Sequence, residues 1–520
     1  MSDAYDLVIV GAGASGLLAA VAARRLGLAV LVVESGDLAG GATATSSGTI
    51  WLPGNAQGSP GVADSPAEAL RYLDAILGPT TDASTAERRS AYAATAGPLA
   101  QWLIASNIPL VALKDVPDHR PTAEGGKTQG RVLGVQPERR RPRGGWAEKL
   151  RSPDSGRRNR RTLSTRGEAL SAELLHRAIA NGVEFWFDCE LVDLVEADGR
   201  VTGVVVRHED ADTEVTAARG VLLAAGGFAG NQQLREEYLP LPTDTSWTLH
   251  EFAASGQTLA LAMAHGAAVA AMDDAWWVPV IVADGRAHRI DAARRAPHSV
   301  IVDSAGDRFF DEDAAPTDAV RRFYERCRTV RAVPCYLIMD DRHRRSVDLG
   351  PWKAGATPKA AVEAGEIVRA DSLTDLAQAI DVDRAGLLGS VVRFNGFALK
   401  GKDLDFHRGE SAWGRFGLAA SKKRRNPGLG KLTKSPFWAV RVYPGDEGTK
   451  GGLLIDKNSR VLRPDQTAIE GLYACGGTAA SIMARTSPGP GAALGEALIE
   501  AYRAVLDLSP ARKPADDPEE

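Results

Sequence analysis

The sequence predicts an α/β protein built on a parallel sheet that the chain leaves and re-enters near its end, and three observations predict it. Residues 6–10, Asp-Leu-Val-Ile-Val, run directly into Gly11-Ala-Gly13-Ala-Ser-Gly16. An Ala- and Leu-rich stretch follows, then a second apolar run, 29–33, that ends on Glu34. Close to the C-terminus a second glycine-rich turn, Thr486-Ser487-Pro-Gly489-Pro-Gly491, opens another apolar helix.

Each element has a physical reason. The β-branched run 6–10 suits a strand buried on both faces, as parallel strands are. Gly11 permits a tight turn, Gly13 lets backbone approach a pyrophosphate, and Gly16 lets helix and strand pack closely. The helix read over 17–26 offers N–H donors and the positive end of its dipole to phosphates. Glu34, 18 residues after Gly16, is placed to accept hydrogen bonds from ribose hydroxyls. A dinucleotide fold of the Rossmann type follows from strand, helix, second strand and acidic residue standing in register.

The next segment separates nicotinamide from flavin. Residues 35–55 are rich in small residues, among them Gly40, Gly41 and Gly48, where a nicotinamide enzyme would usually continue with a helix and a strand. Such a loop lets backbone N–H groups come close to a planar ring, and Ile50, Trp51 and Leu52 are too apolar for a linker. Residues 470–476 read as a short strand closing on glycines, and the turn 486–491 then opens a helix over 492–504. A glycine turn at a helix start is a site for an anion or a carbonyl oxygen. A nucleotide fold completed at the C-terminus is a split domain with another inserted into it.

Composition narrows the classes further. With 62 Lys and Arg against 66 Asp and Glu the net charge is −4, which disfavours a general nucleic-acid binder. Cys189, Cys327, Cys335 and Cys475 are scattered and form no C-x-x-C pair, so neither a disulfide scaffold nor a cysteine zinc site is expected. No H-E-x-x-H or G-x-S-x-G occurs, and no metal is expected. The apolar run from Leu7 to Ala23 is broken by Gly11, Gly13, Ser15 and Gly16, and no basic n-region precedes it. No integral membrane segment is therefore predicted, and the reading is cytoplasmic. The basic stretch 138–161, with ten Lys or Arg in 24 residues, and the smaller Lys-Lys-Arg-Arg at 422–425 read as solvated excursions. The Pro-rich charged tail 510–520 reads as frayed.

With these segments in view the chain resembles the 3-ketosteroid Δ1-dehydrogenases, within the wider fumarate-reductase flavoprotein family. The segments that carry the likeness run the whole length. They include GAGASGLLAA at 11–20, TSSGTIWLPGN at 45–55, STRGEAL at 164–170, VLLAAGGFAGN at 221–231, PLPTDTSWT at 240–248 and MDDAWWVP at 272–279. RFNGFALKGKDLDFHRGES at 393–411, YPGDEGTKGGLLID at 443–456, GLYACGG at 471–477 and the turn 486–491 complete them. The resemblance implies noncovalent FAD in a discontinuous domain, residues 1–276 with 450–520, and an inserted α+β substrate domain over 277–449. It implies that FAD lies on Gly11, Gly13, Ala14, Ser15, Gly16, Glu34, Ser35, Gly41, Ala42, Thr43, Ser47, Gly48, Ala225, Gly226, Gly476, Gly491, Ala492 and Leu494. The implied reaction desaturates a cyclic ketone: a base takes the proton α to the carbonyl and the flavin takes hydride from the β carbon.

The sequence departs from that family in its pocket. Where the steroid enzymes carry three tyrosines, this chain has His119 in Pro-Asp-His-Arg-Pro, Thr317 after Pro316, and Ser487 before Pro-Gly-Pro-Gly. Ser487 and the N–H of Gly491 can still hold a ketone oxygen, and His119 has a pKa suited to a base. Arg485 could clamp a carboxylate or act as an acid. Trp51, Trp276 and Trp277, with Arg485 and Ser487, would face the substrate. A 3-ketosteroid-like ketone or a smaller carboxylated cyclic ketone such as 4-oxocyclohexanecarboxylate is the expected substrate, with an unknown electron acceptor. A fumarate-type reductase and a flavin-binding protein without this catalysis are the alternatives.

Overall fold

Strand Tyr5–Val10 lies between Val30–Val33 and the long strand Ala211–Leu223, parallel to both. All of Val30–Val33 is buried, as an apolar run covered by helices on both faces requires. The computed structural model describes residues 5–58, 63–136, 148–150, 165–249, 254–418 and 425–509. Most of the basic run at 138–161, the first three residues of 422–425 and the tail 510–520 lie outside the described residues.

The sheet extends past Val30–Val33 to Glu184–Trp186. On the other side Ala468–Ala474 runs parallel to Ala211–Leu223. The last strand of the chain thus sits one strand away from the first. Arg200–His208 and Glu190–Ala197 form an antiparallel flap on this sheet, and Arg460–Leu462 pairs with Ala468–Ala474. Helix Ala14–Arg25 is nearly all buried because it packs against both Arg166–Ala180 and the C-terminal helix Ala492–Leu508. Its run of Ala lets these three helices approach closely, and one hydrophobic core joins them.

A second sheet is antiparallel throughout: Arg286–Arg289, Ala275–Ala283, Phe437–Thr449, Cys335–Asp340, Ser299–Val302, with Ile367–Ala370 also on Phe437–Thr449. Helix Pro316–Cys327 covers one face against Ala275–Ala283. Leu387, Val391 and Phe394 of helix Arg384–Lys400 build a separate core with Val300 and Ile338. A small antiparallel sheet, Thr49–Trp51, Val132–Val135 and Leu110–Ala112, backs the C-terminal glycine turn. Among the described residues no helix is long and apolar enough to cross a membrane.

Candidate active site

At the carboxyl ends of the parallel strands a cavity of about 1350 Å³ runs from Gly13 and Glu34 to Glu447 at the second sheet. Crevices at that end of an open sheet are where ligands bind. The three glycines of the first turn divide by cause. A Cβ on Gly11 would lie 2.5 Å from the Ala224 carbonyl, and one on Gly16 would lie 2.0 Å from the Gly11 carbonyl. Those two are required by the fold. A Cβ on Gly13, at φ −71°, would meet no protein atom within 4 Å. Only something occupying the cavity gives glycine an advantage there.

The cradle has the polarity a dinucleotide requires. Helix Ala14–Arg25 has no side chain capping its N-terminus, which opens on the cavity at Ala14 and Ser15. Glu34 at the end of its strand accepts from the N–H of Ala12 (2.8 Å) and of Gly36 (3.0 Å), so its carboxylate is held at the cavity wall. The residues fit the expected FAD: Gly13, Ala14 and Ser15 for the diphosphate and Glu34 for the ribose.

Of the remaining expected contacts, Ser35, Gly41, Ala42, Thr43, Ser47, Ala225, Gly226, Gly476, Gly491, Ala492 and Leu494 line this cavity. Gly16 and Gly48 do not. Gly16 serves helix–strand packing, and Gly48, at φ +61°, would place a Cβ 2.1 Å from the N of Gly167. Gly48 therefore seats helix Arg166–Ala180, between Ser47 and Thr49, which do line the cavity.

His119, Thr317, Ser487, Trp276 and Trp277 line the same cavity. His119 Nδ1 lies 3.0 Å from the Ser487 carbonyl oxygen, which can only accept. Nδ1 therefore carries the proton, and Nε2 keeps its lone pair. Burial disfavours the imidazolium and pushes His119 down to about 4. The His119 N–H donates to the Pro488 carbonyl (2.9 Å), so ring and backbone both hold the glycine turn. Ser487 is buried, its hydroxyl 3.4 Å from the Gly489 carbonyl. Gly491, at φ +87°, ends the turn and precedes a helix with no side-chain cap. Thr317 is buried near the start of helix Pro316–Cys327, with no base bonded to its hydroxyl among the described residues.

Lys450, overlooked in the sequence, anchors this turn from behind. Its buried ammonium donates to the carbonyls of Ala484 (2.7 Å) and Thr486 (2.8 Å), bridges to Asp274 (3.2 Å), and lies 4.9 Å over Trp276. Burial lowers its pKa, and Asp274 opposes that. Trp277 donates to the same carboxylate at 2.7 Å. Opposite stand Trp413 and a half-buried ionic cluster in which Arg289 bridges Asp291 and Glu447. Burial opposes ionisation of Asp291, but Arg289 and Arg294 outweigh it and hold that carboxyl well below the usual range. Trp413 stands two residues past the segment 393–411, a signal within reach of the sequence; the cluster comes from separate elements and had none.

Two expectations are overturned. Arg485 is not in the cavity: its side chain is 62% exposed and pairs with Asp273. The turn of backbone between Arg485 and Ser487 sends their side chains to opposite sides. Trp51 is fully buried behind the turn rather than against substrate. Its Nε1 donates to Asp118 (2.8 Å), it stacks on Tyr92, and its N–H holds the Gly491 carbonyl at 3.1 Å. Burial raises Asp118 to about 6, with Arg131 opposing.

Comparison with known proteins agrees with this geometry. The FAD binding domain family matches residues 6–494. A 3-oxosteroid 1-dehydrogenase of Mycolicibacterium smegmatis is 34% identical over 97% of both chains. A 4-oxocyclohexanecarboxylate 2-dehydrogenase of Sinomonas cyclohexanicum is 30% identical, over 96% of this chain and 92% of the other. The crystal structure of 3-ketosteroid Δ1-dehydrogenase from Sterolibacterium denitrificans, in complex with 1,4-androstadiene-3,17-dione, superposes with a TM-score of 0.91 at 34% identity, over 98% of this chain and 99% of that one.

Proposed function

The chain belongs to the FAD binding domain family, among flavoproteins like the 3-ketosteroid dehydrogenases, and on that premise we propose that it desaturates a cyclic ketone at the carbons α and β to the carbonyl. The observation that carries this is the meeting, in one cavity, of a glycine cradle for FAD with Ser487, Gly491 and His119. FAD, when bound, supplies the hydride acceptor. A separate electron acceptor completes the cycle.

The chain's own residues do the proton chemistry. The Ser487 hydroxyl and the Gly491 N–H donate to the ketone oxygen, and the positive end of helix Ala492–Leu508 adds to them as charge develops there. His119 is neutral at pH 7, with its tautomer set by Ser487, so Nε2 takes the α proton. An imidazolium is costly in that half-buried place until an enolate forms beside it, so proton transfer and oxygen charge rise together. Thr317, with no activator, serves as wall rather than base. We assign FAD binding to residues 1–276 with 450–520, and substrate to 277–449. The parallel sheet falling in the first set and the antiparallel one almost wholly in the second support this.

The test is an anaerobic titration of the purified yellow protein with saturated cyclic ketones. Bleaching of the flavin absorbance is expected. No bleaching across a panel, with reoxidation of the reduced protein by the unsaturated ketones, would make it a reductase instead.

A further inference from the structure

We propose that Arg295 takes an anionic group of the substrate, so that the preferred substrate is a cyclic keto acid with its carboxylate across the ring from the ketone. The proposal rests on the desaturase reading above and narrows it.

Arg295 is 6% exposed and lines the cavity. Buried guanidinium groups are ordinarily compensated by a carboxylate at contact distance. Its neighbours follow that rule: Arg294 bridges Asp291 at 3.0 Å, and Arg308 bridges Glu312 and Asp403. Arg295 has no such partner among the described residues. It donates only to neutral carbonyls, those of Trp413 (3.4 Å) and Phe416, and its Nε has no hydrogen-bond partner. Two of five N–H groups are thus committed. The charges acting on it are mixed: Arg294 and Arg408 repel it, while Asp313 and Asp291 attract it. Burial raises Asp313 to about 6, and its nearest cation is Arg408, at 4.0 Å, rather than Arg295. A cation left short of anions at a ligand cavity is compensated when the ligand brings one.

The placement suits a small ring. Trp413 touches both ends of the reaction space: its ring meets the His119 ring at 4.4 Å between centroids, and the Arg295 guanidinium sits 5.0 Å over it. Guanidinium and imidazole therefore flank one indole. Trp413 is itself buried, with Phe416 stacked on it at 5.9 Å, so a six-membered ring would lie beside it in the cavity, its ketone side toward His119 and Ser487 and its carboxylate side toward Arg295. Arg485, which carries no contact with the cavity, cannot serve this purpose.

The test measures binding, independent of turnover. Cyclohexanecarboxylate and its neutral isostere cyclohexanecarboxamide are titrated into the FAD-loaded protein, read by perturbation of the flavin absorbance and by calorimetry. The wild type is expected to prefer the carboxylate by at least tenfold. Arg295→Gln is expected to bring the ratio close to one, and Arg295→Lys, which keeps charge but loses the fork, to an intermediate value. A wild-type ratio near one overturns the proposal without any variant being needed. So does an undiminished preference in either variant. If the carboxylate is preferred through Arg295 yet no ketone bleaches the flavin, the desaturase reading fails while the anion site stands.

Discussion

His119 Nδ1 and the Ser487 carbonyl oxygen, 3.0 Å apart, join two loops separated by 368 residues in the chain. Because a carbonyl cannot donate, this one contact selects the imidazole tautomer and points the free lone pair away from the turn. The same turn bears the Ser487 hydroxyl and the Gly491 N–H. Proton acceptor and oxygen donors are therefore fixed relative to each other by this contact and by the His119 N–H bond to the Pro488 carbonyl, a positional accuracy that catalysis of this kind requires.

His119→Ala should lower kcat/KM by roughly 10²–10³, the usual contribution of a positioned base. The pH profile of kcat/KM in the wild type should be flat through neutrality and fall only near pH 4. An acid limb near 6.5, the ordinary histidine value, would show that the imidazole keeps its full hydration.

The same histidine gives stability a pH dependence. Its pKa is depressed in the folded state, so between about 4 and about 6.5 the unfolded chain binds the extra proton. Stability is complete above that window and declines as pH falls through it. His343, also pushed down to about 4 by burial, acts in the same sense. Buried Asp118 and Asp313, both raised to about 6, act in the opposite sense, so the histidine is read as a difference: the stability of the wild type minus that of His119→Ala, from denaturant unfolding, should fall between pH 7 and pH 5. The charges facing His119 are those of Asp318, Asp291 and Arg289.

Two neighbouring glycines should fail differently. Gly13→Ala should lose FAD, read as the ratio of flavin to protein absorbance, while the apoprotein keeps its melting temperature. Gly16→Ala must displace the Gly11 carbonyl and should cost about 1–3 kcal/mol of stability as well. Equal melting temperatures for both variants would contradict the division of roles.

Lys450→Met strands the buried Asp274 carboxylate and frees the carbonyls of Ala484 and Thr486. A loss of about 3–5 kcal/mol is expected. The double variant with Asp274→Asn should recover part of it, measured by a thermodynamic cycle. No recovery would place the effect elsewhere.

Arg485→Ala should change activity less than twofold and stability by under about 1 kcal/mol, as for an exposed ion pair. Ser487→Ala, two residues on, should cost roughly 10²-fold in kcat as a lost oxygen donor. A large effect of Arg485→Ala would restore it to the site.

The nucleotide-binding half was legible because its signals are local. Gly11, Gly13 and Gly16 stand in a strand–turn–helix whose geometry is set within a few residues, and Glu34 closes the adjacent strand. The turn at 486–491 was legible for the same reason. What the sequence could not decide is which side chains share the cavity. Arg485 looked like the anion clamp because it neighbours Ser487, yet two residues of irregular backbone turn it to solvent. Trp51 looked like a substrate contact, yet it is the buried support of Gly491. Arg295, Trp413 and His119 meet there, with Lys450 behind the turn, only because two sheets and the loops between them converge. Backbone conformation follows from neighbours in sequence; the compensation of a buried charge depends on neighbours in space, and only the tertiary structure supplies those.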